Sequence, residues 1–273
     1  MSSRGWGGRE GGALGADCRS PPEGGAAPLK SLLMAHDDHM SPWAVHFTSA
    51  GAGSFDTPGE ESGYDNMTSI LWHRRIEPVE EPHGGGREIA ELSEAHRPAC
   101  FSEIPLHLLG PLIEHRSDYG IGFSQEFLLA SGGGRVLYLE QEGRPAVAAK
   151  RLIESKRTEP FDPEDPLWEL TPFIEFPVTG SLDDWRWERE WRVPGGLAFD
   201  VADVAFLFIP EELHHKALQF FSDHKFAGTG PAYICPYIDP RWDRSRIEKA
   251  LAEVPVELPP SEAAVAERVS WIF

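Results

Sequence analysis

The 273-residue sequence is short of basic charge, short of cysteine and without a long apolar run, and each shortage removes a class of function. Lys and Arg number 25 against 44 Asp and Glu, a formal charge of −19. A chain of that sign repels nucleic acid and anionic membrane at long range, so either partner would need a local basic groove. Its three cysteines, Cys18, Cys100 and Cys235, are too few and too widely spaced for a disulfide framework or a zinc cage. No run of about 18 apolar residues occurs; the longest comparable stretch, Val201 to Ile209, is interrupted by Asp203 and ends at Pro210. The N-terminus lacks the basic-then-apolar layout of a secretory signal, so the expectation is cytoplasmic residence and no membrane partner. P-loop, Gly-x-Ser-x-Gly and Cys-His dyad signatures are missing too.

What is present is enough to build a core: 41% apolar residues, nine Trp and fifteen Phe. Residues 1–40 hold eight Gly and three Pro with almost no apolar periodicity, and read as a disordered leader. Met34 and Met40 also allow a later translation start. The leader's charges nearly cancel, so the acidity belongs to a single domain at residues 41–273. Within it, buried strands are expected at 43–48, 98–103, 119–123, 135–139, 204–209 and 232–235. Helices are expected at 66–75, 106–113, 125–130, 146–157, 167–176, 210–221 and 246–252, followed by a polar C-terminal segment. This order is α+β, with many short strands and no internal repeat.

The most informative stretch is Asp184-Trp-Arg-Trp-Glu-Arg-Glu-Trp-Arg-Val193. As a strand it sets Trp185, Trp187, Trp191 and Val193 on one face, and Arg186, Glu188, Glu190 and Arg192 on the other. The tryptophans anchor the strand to a core. The opposite row, two carboxylates with an arginine outside each, suits either a solvated face of ion pairs or the floor of a polar ligand site. His46, inside the first strand, reads as a core histidine bonded to backbone or as a ligand contact. Gly120 and Gly122 permit close backbone approach, and Tyr119 and Phe123 either stack on a planar ring or pack in the core. His214, His215 and His224 lack metal-ligand spacing and read as a solvated helix face. The run from Lys150 to Arg157 is the one basic cluster.

Together, His46-Phe-Thr-Ser49, Asn66-x-x-x-Ile70-Leu71, Cys100-Phe-Ser-Glu103, Arg116-Ser-Asp-Tyr-Gly-Ile-Gly-Phe123 and Trp185-x-Trp-Glu-Arg-Glu-Trp-Arg192 resemble the AbiGi-type abortive phage infection proteins over roughly residues 43–235. More distantly, their order is similar to that of the DarT-type DNA ADP-ribosyltransferase toxins. The resemblance implies an ADP-ribosyltransferase-like fold of two small mixed sheets with flanking helices, gripping NAD as substrate. It implies Glu190 as the catalytic glutamate and Glu188 as the upstream carboxylate that deprotonates the acceptor. His46 and Thr48 would hold the adenosine ribose, Tyr119 or Phe123 would stack on nicotinamide, and Arg186 or Arg192 would offset the glutamates or pair with the pyrophosphate. The acceptor would be a nucleic acid or a protein, with an antitoxin or phage trigger as further partners; NAD hydrolysis and non-catalytic nucleotide binding are the alternatives. Departures from those toxins are the acidic charge and the lack of a recognisable nucleic-acid-reading loop.

Overall fold

The computed structural model describes residues 41–48, 61–103, 113, 117–158, 160–177, 189–253 and 255–270. Its main sheet is built from β1 (Trp43–Phe47), β3 (Pro98–Ser102), β4 (Gly120–Ser124), β5 (Gly134–Arg135), β8 (Glu190–Pro194), β10 (Val204–Phe208) and β11 (Tyr237–Ile238), in the order β11-β10-β4-β1-β3-β8-β5. Only β10 and β11 pair in parallel; the other neighbours are antiparallel. Two ribbons stand apart, β2 (Arg75–Ile76) with β9 (Leu197–Ala198), and β6 (Leu137–Tyr138) with β7 (Ile174–Glu175). The chain is therefore α+β. Among the described residues one seven-stranded sheet takes the place of the expected pair of small sheets, because β3 pairs with β1 on one side and β8 on the other.

Helices cover both faces. On one face Ala44, Phe101, Ile121, Phe123, Trp191 and Val193 meet α1 (Glu61–His73) through Met67 and Leu71, and α5 (His214–Ala227) through Ala217 and Phe221. On the other, Val45, Phe206, Phe208 and Ile238 pack on Ile247 of α6 (Arg244–Ala252). A third, smaller core gathers Ile89, Leu92 and Trp168 around Ile153 of α3 (Arg144–Arg157). Local chemistry sets the boundaries: Ser124 caps α2 (Gln125–Ala130) by accepting from Phe127 N, Asp243 caps α6 likewise from Arg246 N, and Gly228 ends α5 at φ 72°.

Four further expectations are corrected. The strand expected over 135–139 breaks at Val136 into β5 and β6, which join different sheets. The helix expected over 167–176 stops early: α4 (Leu167–Leu170) passes into a 3-10 turn that runs through Pro172, and β7 follows. A proline inside a helical pattern denies the next backbone donor, which ends the run. Residues 232–235 form no strand, and pairing begins only at Tyr237. The polar C-terminal segment contains α7 (Glu262–Ser270). The helix expected at 106–113 lies, except for Ile113, outside the described residues.

Gly122 shows how tightly β4 and β10 are joined. It pairs with Phe206, and a methyl group at Gly122 would sit 2.3 Å from the Phe206 ring. Gly122→Ala should therefore destabilise the fold by roughly 1–3 kcal/mol through overpacking, read as a lower urea midpoint at unchanged m-value; an unchanged midpoint would show that the ring yields freely.

Candidate functional site

Glu190 opens β8, and its register against β3 (Glu190 opposite Ser102, Trp191 opposite Phe101, Arg192 opposite Cys100) fixes which way each side chain turns. Glu190 and Arg192 share one face, and Trp191 and Val193 enter the core on the other. Arg192 is only 2% exposed yet carries a full charge. Its Nε donates to Glu190 Oε1 at 2.8 Å and its Nη2 to Glu190 Oε2 at 3.1 Å, a two-point fork within one strand. The remaining donors reach Glu175 Oε2 at 3.0 Å and the Pro172 carbonyl at 2.8 Å. Tyr138 completes the cluster by donating its hydroxyl to Glu190 Oε2 at 2.7 Å. Arg87 closes on Glu175 at 2.7 Å, and His83 Nδ1 faces Arg192 Nη2 at 3.5 Å.

This is a neutralised cluster, with two arginines against two carboxylates. Burial raises the Tyr138 hydroxyl far above its ordinary range, reinforced by the Glu190 charge, so Tyr138 is a permanent neutral donor. Burial pushes Glu175 up, but Arg192 and Arg87 outweigh it and hold the carboxyl below its usual range. Burial, with Arg192 adding to it, lowers His83 and keeps its ring neutral near pH 7. Glu190 remains 19% exposed. The Glu190 carboxylate is thus fixed at both oxygens by charge-assisted and hydroxyl hydrogen bonds and is still reachable from solvent.

The other sequence candidates divide between two faces. Val45 stands opposite Ser102, the partner of Glu190, so its neighbour His46 turns to the face away from Glu190. His46 bonds the Cys100 carbonyl through Nδ1 at 2.9 Å and packs on Phe101, and burial lowers its pKa. Thr48 is buried, with its hydroxyl on the Gly63 carbonyl at 2.8 Å and its amide on the Tyr119 carbonyl at 3.1 Å. Tyr119 lies edge-on to Tyr64 of α1. Phe123 has no exposed surface and is packed among Phe101, Phe127 and Phe199, so it is a core residue and offers no stacking platform. His46, Thr48 and Tyr119 thus share one face of the sheet, with Thr48 and Tyr119 against the start of α1, and Glu190 with Arg192 lie on the other. Glu188 and Arg186 lie outside the described residues, as do Trp185 and Trp187.

Four residues of the Glu190 cluster carry no role in the sequence reading: Tyr138, Glu175, Arg87 and His83. Glu175 was the most accessible of these, because Ile174-Glu-Phe176 alternates as a strand does. A second buried carboxylate, Glu103, takes the Arg135 fork at 2.7 and 3.0 Å and the Trp191 indole N–H at 2.8 Å, on the core side of β8. The two glutamates therefore flank β8 from opposite sides. His214 is not a solvated residue: its Nε2 lies 2.7 Å from the Ile209 carbonyl and its ring packs edge-on to Trp242. No family model, curated protein or solved structure matches this chain. No helix among the described residues is long and apolar enough to cross a membrane.

Removing the Arg192 guanidinium takes the fork from Glu190 and one of two arginines from Glu175, leaving them Tyr138 and Arg87, so Arg192→Met should cost up to about 3–5 kcal/mol. The sign with pH follows from Glu175, whose folded pKa is depressed. Its contribution is complete above the ordinary glutamate value of about 4.3 and is lost as pH falls through the lower folded value. Acid titration of stability should show a step in that window that is smaller in Glu175→Gln; an identical acid limb in both proteins would contradict the pairing.

Proposed function

We propose that this chain is an NAD-consuming ADP-ribosyltransferase-like effector of abortive phage infection, centred on Glu190. The observation that carries the reading is the Glu190 carboxylate itself, locked by the Arg192 fork and the Tyr138 hydroxyl and still open to solvent. Breaking the nicotinamide glycosidic bond sends the bonding pair out with nicotinamide and leaves oxocarbenium charge on the ribose. A carboxylate already held in place stabilises that charge without reorganising, which lowers the barrier rather than merely binding substrate. The acceptor, a nucleic acid or protein nucleophile, then bonds to the ribose carbon and releases its proton. In the hydrolytic version of the same chemistry water takes the acceptor's place. Glu188 is the residue the resemblance implies for accepting that proton.

One observation favours a second reading, a non-catalytic member of the fold that binds a nucleotide or a partner. His46, Thr48 and Tyr119 stand across the sheet from Glu190, so the ribose and nicotinamide contacts do not converge with the carboxylate among the described residues.

The two readings separate on product. With NAD labelled in the adenine moiety, the first predicts label in a macromolecule or in free ADP-ribose, and a fall of about 10²–10³ in rate for Glu190→Gln with the fold retained by circular dichroism. Unchanged NAD in cells where phage protection persists, and protection that survives Glu190→Gln, would establish the second.

A further inference from the structure

We propose that the face carrying α3 is a self-complementary surface that pairs two copies of this chain about a two-fold axis. The helix reads Arg-Pro-Ala-Val-Ala-Ala-Lys-Arg-Leu-Ile-Glu-Ser-Lys-Arg, five basic residues against one acidic. It therefore carries +4 in a chain of −19, and the remainder carries −23. Only Ala146 and Ile153 are buried. Arg144, Ala148, Arg151 and Ser155 recur at helical spacing on the side opposite that pair, and Val147 and Leu152 flank them at 38% and 48% exposure. Among the described residues neither Arg144 nor Arg151 has an ion-pair partner, whereas Lys156 pairs with Asp165 at 2.5 Å and Arg157 reaches Glu154 at 4.0 Å.

The complement lies beside the helix. Ile153 shares a small core with Ile89, Leu92 and Trp168, which sets two acidic segments against α3. One presents Glu88, Glu91 and Glu94 to solvent, the other Asp162, Glu164 and Glu169, with exposed Leu170 following. Exposed residues of opposite sign, on elements that meet in one small core, suit an isologous contact: the helix of one copy meets the acidic segments of the other, and the reverse. Nucleic acid would use the arginines but gain nothing from Val147, Leu152 and Leu170. It would also meet the acidic flanks, which a second copy turns to use.

The charge distribution gives this pairing an unusual salt dependence. At about 0.01 M salt the Debye length of about 30 Å lets two −19 molecules repel as wholes; at about 0.15 M it is about 8 Å, and only the facing patches are felt; at about 1 M, about 3 Å, the patches are screened too. Sedimentation velocity should therefore find a dimer at intermediate salt that dissociates at both extremes. Arg151→Glu and Glu91→Arg, both at exposed positions, should each weaken dimerisation at least about ten-fold, and an equimolar mixture of the two variants should restore a heterodimer. A monomer at every salt concentration, a dimer indifferent to both variants, or failure of the mixture to associate would overturn the proposal. So would a monomeric protein that binds a single-stranded 20-mer oligonucleotide through Arg151, which would assign the face to nucleic acid.

Discussion

The guanidinium of Arg192 is the constraint on which the rest depends. A full positive charge almost completely removed from water is tolerated only because all three nitrogens find acceptors: Glu190, Glu175 and the Pro172 carbonyl. Those acceptors belong to three parts of the chain, namely β8, β7 and the turn before β7. One side chain therefore ties the seven-stranded sheet to the small β6–β7 ribbon, and through Arg87 to the loop before β3. The same contacts determine the state of Glu190. Its carboxylate cannot swing, because Arg192 holds both oxygens and Tyr138 holds one of them again.

Strand alternation carries this arrangement to the other face. Trp191, between Glu190 and Arg192, turns into the main core and gives its indole N–H to Glu103, which Arg135 also grips. β8 thus has an arginine–glutamate cluster on each side, so a shift of register by one residue would expose a charge to each core at once. Glu103 fastens β8 to the edge strand β5 from the core side and is sealed from water, whereas Glu190 retains solvent access. The acidic charge of the chain is compatible with such a compact, internally neutral site.

Much of the local structure was legible because its signals are local. The period-2 pattern of residues 190–193 predicts the facing of Glu190 and Arg192 against Trp191 and Val193, and the structure has that facing. Strands at Trp43, Pro98, Gly120 and Val204 follow from short apolar runs bounded by turns. What the sequence hides is which strands meet. Tyr138 and Glu175 join Glu190 across 52 and 15 residues only after β6 pairs with β7 and Arg192 bridges to them. The side on which His46 lies depends on the β1–β3 register, a non-local pairing that no spacing within the first strand encodes. Pro172 carries a local signal, a helix stop, that runs against the apolar pattern over 167–176.

The central claim is that nucleotide chemistry belongs to the face of β8 that bears Glu190. A crystal structure of Glu190→Gln grown with NAD tests it directly, since the neutral side chain slows turnover and keeps the substrate intact. The account predicts the nicotinamide ribose within about 3 Å of the residue 190 side chain, the reach of a hydrogen bond. NAD lodged instead against Thr48 and Tyr119, across the sheet, or no NAD at saturating concentration, would contradict it.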